Sequence, residues 1–389
     1  MKNKTIIVDG LCMSPYYDYY LCKEIQKQDG HAYLFMSSFK NEPSLFKDIK
    51  KTRMLDLAYK FKAQNSAFVK AFKVIEYIIN LFILTFAILF RRISTLHIEW
   101  LPLLKYFNLE LYLMSIWKKF SSVKVVYTVH NILPHDTGDK YINTYRKVYE
   151  LADNLICHAN ITKNQLIDKF NIESDKIEII PHGPLFDEFE IKAKKEACEI
   201  LELKNTKNVL ILGYIRPYKG IDFLIDTWKE VAEKEPEANL IICGKAKKDV
   251  EDSIKNKIDL LGLDKSIVTR FKFIETEEVP LYHFAADLIV FPYKSIDQSG
   301  ALYTAMAASK AIIATSVGGF KEVINNGENG FLVKYGDTVD FANRIIELLN
   351  NEVKREDMGR INYDLIENEY SWEYIAEKTV EIYKSEQGV

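Results

Sequence analysis

The residues of this 389-residue chain best suited to chemistry lie in the segment GYIRPYKG (213–220). It follows the apolar run NVLILG and precedes IDFLIDTWKEV, the pattern of a strand passing through a turn into a helix. Gly213 permits a tight turn, the helix start offers N–H groups, and Arg216 and Lys219 place two cations where an anion would sit. Phosphate binding fits this pattern, and so does a solvated basic turn capping a helix.

A second element, SIDQSGALYTAMAAS (295–309), follows the run LIVFP. Gln298, Ser299 and Gly300 open a helix of small residues, whose first amides and dipole favour a phosphate, although Ser-Gly is also an ordinary cap. A third, VGGFKEVINNGENGFLV (317–333), adds a double glycine and Glu322, readable equally as a turn with a first-turn carboxylate. In the N-terminal half, YTVHNILPH (127–135) sets His130 and Asn131 just after a strand, where open α/β sheets position ligands. His97 in LHIEW and His182 in PHG stand at similar strand ends, so polar groups gather on one sheet edge. Taken singly, each histidine reads as structural.

These segments need a scaffold of parallel strands. From about residue 120, β-branched apolar runs alternate with amphipathic helices, which predicts doubly wound α/β architecture. Strands are expected at 123–129, 154–159, 176–181, 208–213, 239–244, 269–273, 288–292 and 311–316, with KNKTIIVDG as the first. Helices are expected at about 140–152, 161–170, 220–234, 249–261, 300–309 and 337–350. The length suits two domains with a cleft between them. The expected division is 1–185 and 206–372, with a C-terminal helix (373–389) packing back on the first domain.

Composition is that of a folded soluble protein, with 48% hydrophobic residues and no low-complexity tract or internal repeat. The five scattered cysteines form no CxxC pair, so a zinc site is not expected and reduced thiols in a cytoplasm are. Net charge is only −3, yet residues 1–120 carry 18 Lys and Arg against 10 Asp and Glu. A basic N-terminal half is either chance or a face for an anionic membrane surface or an anionic acceptor. The most apolar stretch, 72–90, is flanked by Lys70, Lys73, Arg91 and Arg92 and contains Glu76 and Asn80. Three readings stand: a core helix, a helix lying at a membrane surface, and, disfavoured by its length and polar residues, a bilayer span.

The sequence resembles the retaining glycosyltransferases of the GT-B fold, family 4, also called glycosyl transferases group 1. The resemblance runs from about residue 95 onward and rests on GYIRPYKGIDFLI, AADLIVFPYKSIDQSG, AIIATSVGGFKEVI and NGENGFLV in the family's order and spacing. It implies two Rossmann-like domains facing a cleft. It implies donor binding by Gly213, Arg216, Lys219, Gly244, Phe273, Ile274, Asp297, Gln298, Ser299, Gly300, Ala301 and Thr304, with 273–278 lining the base. It implies His130 near the donor sugar, and an acceptor site including Tyr16, Tyr17, His97 and Asn131. Two departures from the family pattern stand out. Thr304 occupies the position of a family glutamate, with Ile296 or Asp297 at its partner position, and Tyr214 stands where many members have arginine.

The activity this implies is transfer of a hexose from a UDP- or GDP-sugar to a hydroxyl of a glycan or lipid-linked acceptor, with retention, in surface polysaccharide biosynthesis. His130, Arg216 and Lys219 would be the catalytic set, and no metal or other cofactor is expected because the two cations and the 298–300 amides stabilise the leaving diphosphate. The expected location is cytoplasmic, peripheral at the inner face of the membrane, with no nucleic-acid partner. The rival readings are a degenerate nucleotide-sugar-binding partner protein, suggested by the missing glutamate, and a GT-B sugar-nucleotide epimerase.

Overall fold

The computed structural model describes residues 4–36, 45–52, 54–55, 57–61, 66–90, 93–134, 137–186 and 192–385. Arg91, Arg92, part of the expected boundary (187–191) and the last residues of the C-terminal segment (386–389) lie outside them. The chain divides into two compact units, Met1–Pro181 with Trp372–Val389, and His182–Ser371.

The first unit runs β1 (Lys4–Val8), α1 (Pro15–Gln28), β2 (Ala32–Phe35), α2 (Ala67–Phe90), β3 (Ile93–Ile98), α3 (Leu109–Phe120), β4 (Lys124–Val129), α4 (Ile142–Leu151), β5 (Asn154–Cys157), α5 (Asn160–Phe170) and β6 (Ile177–Ile179). Its sheet is parallel, in the order β2-β1-β3-β4-β5-β6. All six residues of β4 are buried, as expected of a strand covered on both faces. The apolar stretch at 72–90 is α2, whose Tyr77, Leu81, Leu84 and Ile88 recur at helical spacing and enter the core beside Trp117 of α3.

The second unit contains α6 (Lys194–Ile200), β7 (Asn208–Leu212), α7 (Ile221–Lys234), β8 (Asn239–Cys243), α8 (Lys248–Leu260), β9 (Ile267–Arg270), α9 (Glu278–Ala285), β10 (Leu288–Phe291), α10 (Gly300–Ala307), β11 (Ala311–Thr315), α11 (Phe320–Val323), β12 (Phe331–Val333), α12 (Thr338–Leu349) and α13 (Glu352–Glu369). Its sheet is again parallel, in the order β12-β11-β10-β7-β8-β9. Ile221, Leu224, Ile225, Trp228 and Val231 bury one stripe of α7, with Trp228 fully enclosed. Each such aliphatic side chain contributes about 2 kcal/mol by leaving water. The final helix, α14 (Trp372–Lys384), belongs to the first unit and packs on α1. Lys124 of β4 donates to the carbonyls of Ile382 and Ser385, satisfying groups that a helix C-terminus leaves unpaired.

Two expectations shift. The strand expected at 269–273 lies at Ile267–Arg270, because its register is set by β8, whose Cys243 pairs with Arg270 and ends the ladder. His182 does not end a strand of the first sheet: β6 stops at Ile179, and His182 opens the second unit with its ring stacked on Tyr303.

Candidate functional site

In the second sheet the chain leaves β7 toward β8 and β9 on one side, then returns to build β10, β11 and β12 on the other. The loops after β7 and β10 therefore diverge at a topological switch point, where open α/β sheets form a ligand crevice. These are the loops carrying Arg216, Lys219 and Gln298–Gly300. The backbone ties them together, Lys294 N donating to Tyr218 O at 2.7 Å.

Lys219 is the unusual group here. It is 6% exposed, its ammonium lies 5.3 Å from the Tyr293 ring centroid, and among the described residues its hydrogen bond goes to Leu212 O at a long 3.4 Å. Burial, with the Arg216 charge adding to it, brings its pKa down to about 8. At neutral pH it remains a desolvated cation, which is an arrangement that stabilises an incoming anion. Arg216 is exposed at the same loop and borders a shallow depression of about 220 Å³ with Asp222 and Asp249.

Two glycines make the close approach feasible. Gly213 has φ +117°, and a Cβ there would lie 2.9 Å from Lys219 Nζ. Gly244 has φ +139°, and its Cβ would lie 2.0 Å from Gly213 O, so the ends of β7 and β8 abut only without side chains. Phe273, beyond β9, and Tyr214, beyond β7, are 41% and 53% exposed with ring centroids 6.4 Å apart. Together they present aromatic faces for a planar ring system. Tyr214 was read from sequence only as a missing arginine; an aromatic directly after the strand-end glycine was the signal available. Ile274 is half-buried beside them.

At the start of α10, the Ser299 N–H donates to Gln298 Oε1 at 3.1 Å, and Gln298 Nε2 donates to Tyr303 OH at 2.7 Å. An anion taking the Ser299 amide must displace the Gln298 side chain. Ser299 is itself buried, while Asp297, Gly300 and Ala301 are half-buried. Thr304 requires correction as a ligand contact. It is 3% exposed, donates to Gly300 O at 3.0 Å and accepts from Leu185 N at 3.1 Å, so it fastens α10 to the segment entering the unit.

The first sheet has its own switch point, between β1 and β3. The strand ends around it carry Asp9, Glu99, His130 and His158, all buried or nearly so. His158 Nδ1 lies 2.9 Å from Ile180 O, which can only accept, so Nδ1 carries the ring proton and Nε2 a lone pair. That lone pair faces His130 Nδ1 at 3.4 Å, making His130 the donor. His130 Nε2 lies 2.9 Å from Glu99 Oε2, and one proton must occupy that contact. Burial pushes His130 down to about 4 and Glu99 up, which places the proton on Glu99. Both nitrogens of His130 are thus engaged inside the unit, and a ligand reaches Nδ1 only by replacing His158. Trp100 stacks flat on the His130 ring at 4.9 Å and donates from Nε1 to Ser14 Oγ. Glu99, Trp100 and His158 were not singled out from sequence. For Glu99 a signal existed, since it lies two residues after His97 and so on the same strand face.

Two expected acceptor contacts are corrected. His97 is fully buried, its Nδ1 2.6 Å from Tyr383 OH of α14 and its Nε2 2.7 Å from Thr128 Oγ1 and 3.1 Å from Glu99 Oε1, so it lies behind the Glu99–His130 contact with no exposed surface. Tyr17 is 2% exposed and lies edge-on to His130 at 4.8 Å, supporting that ring from within. Tyr16 and Asn131 are half-buried. Among the described residues, no three His, Cys, Asp or Glu side chains are placed to hold a metal ion.

Asp9 Oδ2 accepts from the backbone N–H groups of Met13 and Ser14, shaping the loop into α1, and Asp18 is buried behind it. Burial, with the neighbouring Asp9 charge, raises Asp18 well above the carboxylate range, and burial also raises Asp9. The folded chain keeps a proton that the unfolded chain releases above about pH 4, so stability falls as pH rises past that value. Asp18→Asn cannot ionise. Its melting temperature is expected to match wild type near pH 4 and to exceed it increasingly toward pH 8; a constant difference across that range would contradict the proton retained at Asp18.

Two family models match the chain: glycosyl transferases group 1 over residues 193–364, and glycosyltransferase family 4 over residues 19–184. An uncharacterized glycosyltransferase of Methanocaldococcus jannaschii is 30% identical over 268 residues, 67% of this chain and 68% of its own. The capsular polysaccharide biosynthesis glycosyltransferase CapM of Staphylococcus aureus is 26% identical over 67% of this chain and 70% of its own. With other curated relatives the chain spans about half of the relative's length, 52% and 55% in two cases. Among solved structures, Anabaena HepE in complex with UDP-glucose aligns with a TM-score of 0.75 at 17% identity, covering 98% of this chain and 99% of HepE, a likeness of fold.

Proposed function

The chain belongs to the GT-B glycosyltransferases of family 4 and group 1, and on that premise we propose that it moves a hexose from a UDP- or GDP-sugar to a hydroxyl of a glycan or lipid-linked acceptor, with retention. The observation that carries this reading is the buried Lys219 ammonium over the Tyr293 ring at a switch-point crevice, in the same loop as Arg216. A nucleoside diphosphate fits that site, with negative charge for the cations and a flat ring for Tyr214 and Phe273. Lys219 and Arg216 stabilise the diphosphate as the bond to the sugar breaks, and the departing phosphate oxygen takes the acceptor's proton on the same face. The cations and amides do this without a metal. The relative whose complex holds UDP-glucose favours a uridine donor, and the likeness to CapM favours surface polysaccharide assembly. The first unit holds the acceptor, with the proton network around His130 ordering its loops. The enzyme works in the cytoplasm, attached peripherally to an anionic membrane.

The test is thermal denaturation and calorimetry with UDP, GDP and their hexose conjugates in the presence of a chelator. A diphosphate donor at a hundred times its Kd should stabilise the protein by about 2.7 kcal/mol. If no nucleoside diphosphate shifts the melting curve, or if binding requires a divalent ion, the reading of this crevice fails.

A further inference from the structure

The outward face of α2 is apolar where a helix on a soluble domain is ordinarily polar. Phe68, Ile75, Ile79, Phe82, Phe86 and Phe90 are all exposed, Phe82 at 54% and Phe86 at 59%. Their spacing of three, four and seven residues draws one stripe along the helix. The 24-residue helix is about 36 Å long at 1.5 Å per residue. α3 lies beside it, Trp117 Nε1 donating to Thr85 Oγ1 at 3.0 Å and Tyr77 OH donating to Glu110 Oε1 at 2.7 Å. The outward face of α3 presents Tyr112, Ile116 and Phe120, each four residues apart and exposed.

Charge selects the occupant of this surface. The acids of the two helices, Glu76 and Glu110, both point inward and are buried. Glu76 Oε2 accepts from Leu57 N and Ala58 N at 2.6 and 2.9 Å, and Glu110 Oε2 accepts from Leu103 N at 3.1 Å. Lys73 of α2 is buried and Lys118 of α3 pairs with Asp153, but other cations face out. Lys70 is exposed on α2, Lys119 sits 5.4 Å from the Phe120 ring centroid, and Lys105, just before α3, sits 5.0 Å from that of Tyr106. An apolar stripe fringed by ammonium groups, with the carboxylates of both helices turned inward, complements an anionic bilayer surface, where rings enter the acyl boundary and lysines meet lipid phosphates. A second copy would set lysine against lysine.

We infer that the α2–α3 face lies flat on an anionic membrane. α2 is long and apolar enough to cross a bilayer, with a mean hydropathy of 2.0. Crossing would nevertheless strip Tyr77, Leu81, Leu84 and Ile88 from the core. It would also break the pair of hydrogen bonds, at 2.9 and 2.8 Å, by which Asn80 holds the backbone of Leu55. The inference deepens the membrane part of the proposed function by naming its surface. It is independent of donor chemistry, whose residues lie in the second unit.

Flotation of the full chain with vesicles of phosphatidylcholine, with and without phosphatidylglycerol, tests it. Wild type is expected to float with the anionic vesicles, less so at high salt. The double variant Phe82→Ser, Phe86→Ser should partition roughly tenfold less or weaker still. Both positions are exposed, so an unchanged melting curve and an unchanged thermal shift with UDP keep the folded state in view. Failure of wild type to float, or equal flotation of the variant, overturns the inference. So does a dimer in solution that the variant abolishes, which would give the face to a second copy, and so does wild-type protein released from membranes only by detergent, which would make α2 a span.

Discussion

Lys219→Met is expected to lower sugar transfer by about two to three decades while making the ligand-free protein more stable at neutral pH. The loss follows from removing a buried cation at the crevice, since a donor aimed at developing charge in a water-poor site lowers the barrier by about 3–4 kcal/mol. The gain has the same origin. Lys219 titrates near 8 in the folded chain because it is buried, whereas a lysine in an unfolded chain titrates near 10.4. Between those values the unfolded chain binds more protons, so stability rises with pH across the window, and below about pH 8 the full penalty of burying the ammonium is present. That penalty is about 3 kcal/mol at roughly 1.4 kcal/mol for each pH unit of depression. Methionine fills a similar volume without charge. Melting curves should therefore favour the variant at pH 7 and converge with wild type as pH approaches 10. Donor affinity of wild type should weaken as pH rises past about 8, where the ammonium is lost. A variant that melts lower at pH 7 and still transfers sugar would remove Lys219 from the site.

How much of this was legible in the sequence depended on whether the signal was local. GYIRPYKG announced itself because strand, glycine, cations and helix follow one another within a dozen residues, and the topology only had to place that loop at the switch point. β2 and β12, of four and three residues, were too short for any period to show. β9 was displaced because an edge strand takes its limits from its neighbour. His97 was misread for a different reason. A strand-end histidine looks the same whether it meets ligand or core, and the group that decides, Tyr383, lies 286 residues away. Thr304 was likewise judged against a family position, while its hydroxyl is used by Gly300 and Leu185, the latter 119 residues distant. Side chains whose role is set by long-range partners are where a local reading fails.

Glu99→Gln is expected to lower kcat by about two decades while leaving donor affinity near wild type. In the wild-type network a single proton lies between Glu99 Oε2 and His130 Nε2, and it fixes the direction of every bond onward to Ile180 O. Because Oε2 can either carry that proton or accept it, the pair can respond to a change at His130 Nδ1 by moving one proton over 2.9 Å. Glutamine keeps the size and loses that freedom: its amide donates or its oxygen accepts, according to a rotation the packed core resists. Glu99 is fully buried and is a positioning residue, acting through the ring that Trp100 and Tyr17 clamp. Three readouts separate this role from simple damage to the fold. UDP binding, which belongs to the other unit, should be unchanged. Proton NMR should show the ring N–H signals of His130 and His158 shifted or exchanging faster. The pH profile of kcat should lose whichever limb Glu99 contributes. If transfer by Glu99→Gln fell only in step with a lower melting temperature, with kcat restored on cooling, the network would be a structural brace and the acceptor side of the reaction would have to be sought among Tyr16, Asn131 and the half-buried residues around them.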